Sequence, residues 1–293
     1  MENKISNFFN KLIENKKYKI MFFLCIILIC IIALSVGIYV QFFYKYAEVD
    51  PLMMGIHYGE NKDTQNINKL KTEFNDMFQN KLIFGINYKK ENINKKQSNK
   101  EFVYNGYNLK EDDVNFYQID VNIPILNIDS EEAIKINELI KSEFYDTANS
   151  IKRKMDGHTV YVVSYASYFY DDIISIVIKS SLKEKNKNEK VTITTYNYNV
   201  EKDSTVSLNN LIEKTENLEN KVQNKIYEEI KRYNKNALAV AEEYGSTYTR
   251  DLESDIYKIE NTKQYFITDA GKLYIIYPYG NDEYTNEIDI VIF

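Results

Sequence analysis

Two histidines and two cysteines are the side chains in this 293-residue sequence that most often carry out chemistry in proteins. His57 lies in a polar stretch and His158 directly follows Gly157, so neither has the spacing of a metal site or of a catalytic triad. Cys25 and Cys30 fall within an apolar run, which removes them as ligands or nucleophiles of a globular domain. The P-loop, dinucleotide-binding, zinc-protease and nucleophile-elbow motifs are all missing. We therefore expect no catalytic activity and no cofactor, and we expect His158 to be an exposed turn residue.

Acidic residues form three groups that either hold a cation or face solvent: Asp112 with Asp113, Asp171 with Asp172, and Asp282 with Glu283, Glu287 and Asp289. A calcium loop needs several oxygen ligands at fixed spacing around a glycine turn. Gly280 before the third group comes nearest to that pattern without matching it. Solvated charge is the interpretation that we favour, and Asp171 with Asp172 is explained more simply as a hairpin turn.

Tyrosine offers another kind of site, because its ring supplies apolar area and its hydroxyl a polar tip. Five of the 26 tyrosines lie on two predicted strands and could present an aromatic platform to a glycan or a protein: Tyr161, Tyr165, Tyr168, Tyr196 and Tyr198. Strand propensity and half-buried packing explain the same residues without any function. The sequence favours this structural interpretation over the binding platform.

The segment from Ile20 to Val40 is uncharged and strongly apolar. It is longer than the apolar region of a cleaved signal peptide, and it lacks the small-residue cleavage site that this alternative requires. Lysines precede it and acidic residues follow it, so the positive-inside rule places the N-terminus in the cytoplasm. The sequence thus predicts a cytoplasmic tail at 1–19, a transmembrane helix at 20–43 in contact with membrane lipid, and an extracellular remainder. Residues 2–15 have one apolar face that suits the inner leaflet or a cytoplasmic partner.

The predicted outer region begins with a stalk, an amphipathic helix and a polar linker at 44–100. Residues 101–293 then group their strands and helices, including a helix over Ser130–Lys154 and a strand over Thr159–Tyr170. This grouping predicts an α+β domain with an antiparallel sheet and helices packed on one face, with a possible division into two subdomains near 201–215. After residue 44 the chain holds 32 basic and 41 acidic residues, a net charge of −9. That charge disfavours nucleic acid and would steer a basic partner toward the domain.

Four segments occur in an order that is familiar from one family: Tyr198-Asn199-Val200, Ser204 to Leu211, Phe266 to Tyr274, and Pro278-Tyr279. Together they resemble the paired extracytoplasmic domains of low-GC Gram-positive bacteria. Such domains form the outer part of a lysozyme-binding anti-sigma factor and also precede the catalytic domain of a peptidoglycan deacetylase. The resemblance covers roughly Phe116 to Phe293 and rests on turn residues.

This resemblance implies a membrane-anchored, non-catalytic module at the cell envelope, which binds peptidoglycan or a basic wall-acting protein such as lysozyme. An anti-sigma-type regulator is one alternative, although a tail of 19 residues is shorter than the inner region that these relatives use to hold their sigma factor. A wall hydrolase is another alternative.

Overall fold

The computed structural model describes residues 62–79, 95–154, 157–245 and 247–293, together with Ile20 and Ile27. The predicted tail, nearly all of the predicted transmembrane segment at 20–43, and His57 lie outside these residues. None of the helices described is both long enough and apolar enough to cross a membrane. The predicted fold, in which a membrane-spanning helix precedes the outer domain, is therefore not the fold that the structure describes. The first helix, α1, spans Lys62–Gln79.

A six-stranded sheet forms the first half of the domain, with its strands in sequence order. Its strands are β1 (Val103–Asp113), β2 (Tyr117–Leu126), β3 (Thr159–Tyr170), β4 (Ile173–Glu184), β5 (Lys190–Asn199) and β6 (Ser204–Thr205). The bounds of β3 confirm the strand predicted there. β2 and β3 are parallel, whereas all other neighbours are antiparallel. The expected antiparallel sheet is wrong at this pair, because the helix between the two strands crosses one face and returns the chain in the same direction.

The crossover helix confirms the helix predicted at 130–154, and it contains a π turn at Lys141–Tyr145 between α2 (Glu131–Ile140) and α3 (Asp146–Lys154). The Ser130 side chain caps its N-terminus by accepting from the Ala133 N–H at 3.1 Å. Ala133 is buried in its first turn, and the buried residues that follow are four apart: Ile136, Ile140, Phe144 and Ala148. In an α-helix each such step rotates the side chain by about 40°, and the wider π turn keeps the later residues on the buried face.

A three-stranded antiparallel sheet forms the second half of the domain. The elements in this half are α4 (Leu208–Lys214), α5 (Glu219–Tyr244), β7 (Gln264–Ile267), β8 (Leu273–Pro278) and β9 (Ile288–Ile292). One face packs against the larger sheet and the other against α4 and α5. Helices thus cover two outer faces of the domain, which corrects the expectation of helices on one face.

Contacts along the edge of β5 join the two sheets. The N–H of Ile193 donates to Asn281 Oδ1 at 2.9 Å, and the N–H of Thr195 donates to Gln264 Oε1 at 2.8 Å. A Cβ on Gly280 would lie only 2.0 Å from the Val191 carbonyl oxygen, so no other residue fits this approach without a shift. Covering the edge satisfies backbone groups that would otherwise be open to pairing with another strand.

Candidate binding surface

The five tyrosines singled out in the sequence do not share one surface. Strand register places Tyr161, Tyr165, Tyr196 and Tyr198 on the sheet face beneath the crossover helix, and Tyr168 on the opposite face. Tyr161 and Tyr198 are buried, and the other three are half-buried. The Tyr168 ring stacks on Phe266 with 5.5 Å between ring centroids. A single platform of five tyrosines is therefore absent, and a binding role for the half-buried ones stays a prediction.

Burial keeps these tyrosine hydroxyls protonated. It raises the pKa of Tyr165 to about 12, and it is also the main cause that raises the pKa of Tyr198 to about 12. The Tyr198 hydroxyl donates to Asp203 Oδ1 at 2.7 Å. Both hydroxyls are therefore neutral hydrogen-bonding groups near neutral pH.

Two of the C-terminal acidic residues are paired and not simply solvated. Asp289 is fully buried and accepts two hydrogen bonds from the Arg250 guanidinium, at 2.8 Å to Oδ2 and 2.6 Å to Oδ1. Arg250 also reaches Glu287 Oε2 at 3.1 Å, and Lys71 of α1 reaches the same oxygen at 3.0 Å. The favoured interpretation as solvated charge is wrong for Glu287 and Asp289, because β9 turns Asp289 toward α5 and the inserted Arg250.

Tyrosines surround the Arg250 guanidinium. The ring centroids of Tyr233, Tyr248 and Tyr279 lie 5.9, 5.7 and 5.5 Å from its central carbon. The Tyr279 hydroxyl donates to Asp289 Oδ2 at 2.8 Å, and burial followed by the Asp289 charge raises the Tyr279 pKa. Burial acts to lower the Arg250 pKa, but its bonds to Asp289 outweigh this and raise it. A network this well paired and this far from solvent has a structural role.

The other sequence candidates occupy turns. Asp171 and Asp172 form the turn between β3 and β4, which confirms the hairpin interpretation. Lys214 bridges both carboxylates, with 2.8 Å to Asp172 Oδ1. Hydrogen bonding to Asp171, then to Asp172, raises the Lys214 pKa to about 12. His158 is exposed, as expected for a turn residue.

A cluster of exposed apolar side chains lies beside the Arg250 network. Leu252 and Ile256 are 38% and 45% exposed, and Tyr227 and Leu238 on α5 are 38% and 48% exposed. Tyr227 and Leu238 are eleven residues apart, which is about three helical turns, so they share one side of α5. We refer to these four residues as the apolar patch.

Hydrogen bonds hold the segment that carries Leu252 and Ile256 against that side of α5. Gln223 donates to the Tyr257 carbonyl at 2.8 Å and accepts from the Ile259 N–H at 2.9 Å. Asn234 Oδ1 accepts from the Arg250 N–H at 2.8 Å. Since Gln223 and Asn234 flank Tyr227 on the helix, the segment that carries Leu252 and Ile256 follows the same side of α5 as Tyr227.

The border of the apolar patch is mainly acidic. Asp251, Glu253 and Glu260 are exposed on the segment, whereas Asp255 pairs with Lys258 at 2.6 Å. Exposed Lys231 lies on the helical side. No element and no site is predicted from the sequence at residues 245–263. The one signal there is an acidic residue at every second position from Asp251 to Asp255, with the apolar residues Leu252 and Ile256 beside them.

Comparison with known proteins gives limited guidance. No protein-family model matches the chain, and no curated protein matches it. Among solved structures, a DUF3298 family protein from Pseudomonas aeruginosa PAO1 is similar with a TM-score of 0.27 and 11% identity, covering 36% of this chain. The chain spans 57% of that protein's length. A DUF3298 family member from Bacteroides fragilis NCTC 9343 is similar with a TM-score of 0.29 and 14% identity, covering 60% of this chain and 79% of its own. Neither is named as an anti-sigma factor or a deacetylase.

Proposed function

We propose that this protein is a non-catalytic binding module of the cell envelope that recognises a basic protein. The observation that supports the proposal most is the apolar patch with its acidic border. Lysozyme is the candidate partner, because the resemblance to the paired extracytoplasmic domains implies it. The acidic balance of the chain after residue 44 supports the same choice.

The physical argument is that of a small protein interface. Exposed apolar side chains that cluster are typical of interaction sites, and an interface has an apolar centre with a polar rim. Asp251 and Glu253 would attract a cationic surface and raise its rate of association. The same charges would repel an anionic lipid surface and nucleic acid.

The proposal is tested by calorimetric titration of the full chain with lysozyme at low and at high salt. We expect binding that weakens at high salt, since screening reduces the attraction between exposed charges. The double variant Leu252→Ser with Ile256→Ser should weaken binding by about tenfold or more, because it removes the centre of the interface. Val114→Ser is the matched control, since Val114 is an exposed apolar residue at the β1–β2 turn.

Charge reversal distinguishes binding at the apolar patch from a general electrostatic attraction to the acidic chain. Asp251→Lys with Glu253→Lys should reduce the affinity for lysozyme severalfold, whereas Glu131→Lys with Glu138→Lys on α2 should have a much smaller effect. If both double variants lost the same affinity for lysozyme, the attraction would be non-specific and the apolar patch would not be the binding site. Binding to purified peptidoglycan without any binding to lysozyme would reject a basic protein as the ligand.

A further inference from the structure

The π turn holds the carboxylate of Glu143 over strand β5. The Thr194 hydroxyl donates to Glu143 Oε1 at 2.8 Å, and the Tyr196 hydroxyl donates to Oε2 at 3.3 Å. Glu143 itself remains exposed. Because an ionised carboxylate has about four acceptor positions, both oxygens keep capacity for donors from a ligand.

Half-buried aromatic rings lie on the same sheet face. Tyr165 pairs with Ile178, which pairs in turn with Thr194, so Tyr165 and Thr194 occupy one row across three strands. Tyr196 follows two residues along β5 and points to the same face. The charge of Glu143 adds to burial in raising the pKa of Tyr161 and of Tyr196, as expected for a carboxylate close to both rings.

The π turn also explains how this carboxylate contacts the sheet while Glu143 stays exposed to solvent. Phe144 must face the core to continue the buried row of the helix, and it is buried there. With Phe144 turned inward by the wider turn, the preceding residue reaches β5. π turns are uncommon and occur frequently at functional sites.

We propose that Glu143, Thr194, Tyr196 and Tyr165, together called the Glu143 surface, bind a pyranose sugar. Sugar hydroxyl groups would donate to the two carboxylate oxygens, and the apolar face of the sugar ring would lie against a tyrosine ring. Glu143 is the one carboxylate among these four residues, whereas glycoside cleavage uses two facing carboxyl groups. Binding without cleavage is therefore the role that these four residues support. This site goes beyond the proposed function, since it shares no residue with the apolar patch.

The test is an NMR titration of the isotope-labelled full chain with the β-1,4-linked tetramer of N-acetylglucosamine. We expect saturable shifts at Glu143, Thr194 and Tyr196, with a Kd of about 0.1 to 5 mM. Glu143→Gln and Tyr196→Ala should each weaken binding by about fivefold or more, because each removes one of the two kinds of contact. Glu138→Gln is the control, since Glu138 is an exposed glutamate on the same helix. Thermal melts of all variants establish that they fold.

Two further probes distinguish the ligand class. A β-1,4-linked glucose tetramer should bind within about tenfold of the N-acetylglucosamine tetramer, because the argument requires a pyranose ring and hydroxyl donors only. Tetramethylammonium tests whether the surface takes a cation. Binding of tetramethylammonium alone, or equal sugar affinity of wild type and Glu143→Gln, would overturn the proposal. The double variant Leu252→Ser with Ile256→Ser should bind sugar normally, so the two proposals fail separately.

Discussion

Residues 247–261 have a buried side with a charged residue in it and an outer side with two exposed apolar residues. Arg250 is buried and bonds to a fully buried aspartate, whereas Leu252 and Ile256, a few residues along, are 38% and 45% exposed. Tyr257 is again buried and its hydroxyl is 2.8 Å from that of Tyr279. Buried Arg250 and Tyr257 anchor this segment, whereas its apolar residues Leu252 and Ile256 face solvent.

This contrast shows how the apolar patch is maintained. Burying a guanidinium is costly unless every donor is paired, and the buried Arg250 side chain is held by Asp289, Glu287 and the Tyr248 carbonyl. Once Arg250 is fixed, Leu252 cannot turn inward without withdrawing it. An apolar residue that is more than a third exposed contributes little to the core, so its position on a firmly anchored segment favours a role in binding.

Arg250→Met should have the largest effect on the anchored side. It leaves Asp289 as an unpaired buried charge, and we expect a loss of about 3–5 kcal/mol in the free energy of unfolding. Urea denaturation measures this loss, with Arg153→Met on the exposed end of α3 as the control. A loss below about 1 kcal/mol would show that the pair does not anchor the segment.

Tyr279→Phe should have a smaller effect of the same kind. It removes the hydroxyl that donates to Asp289 and contacts the Tyr257 hydroxyl, and losing such buried bonds costs about 1–3 kcal/mol. Tyr227→Phe on the apolar patch is the control and should change stability by less than about 0.5 kcal/mol. Equal effects of the two variants would remove the distinction between an anchored and an exposed side.

High pH should destabilise the anchored side through its tyrosines. Burial raises the pKa of Tyr257 from 10.0 to about 12. As pH rises, Tyr257 ionises in the unfolded chain before it ionises in the folded protein. Its contribution to stability is therefore intact below about pH 10 and is lost as pH rises to about 12. Tyr257→Phe should lose less of its stability over that interval than wild type, as measured by urea denaturation at each pH. If wild type and Tyr257→Phe lost the same stability over this pH interval, ionisation of Tyr257 would not be a cause of the loss.

Local patterns in the sequence predict the elements of this fold better than their pairing. Alternating residues predicted β3 at its observed ends, and the capping residue Ser130 with its apolar spacing predicted the crossover helix. The parallel pairing of β2 with β3 depends on the helix carrying the chain back to the end of the sheet where β2 begins, which the alternation within a strand does not encode. Asp289 was misassigned because its partner Arg250 lies 39 residues away in the chain. The apolar patch depends on the same long-range pair.

The double variant Leu252→Ser with Ile256→Ser should have the smallest effect on stability. Both side chains are more than a third exposed, and each surface site changes the free energy of unfolding by up to about 0.5 kcal/mol, so the double variant should change it by less than about 1 kcal/mol. Urea denaturation of the variant and of Val114→Ser measures this change. A loss of about 2 kcal/mol or more would mean that these residues belong to the core, and their exposure would no longer favour a binding role.

Amide hydrogen exchange of the full chain with and without lysozyme tests the binding role of the exposed side most directly. The proposed function predicts that lysozyme slows exchange in the segment from Asp251 to Ile256 and in α5 near Tyr227. Exchange in β1, at the far edge of the larger sheet, should stay unchanged. Bound lysozyme that leaves the segment from Asp251 to Ile256 unprotected would contradict the account.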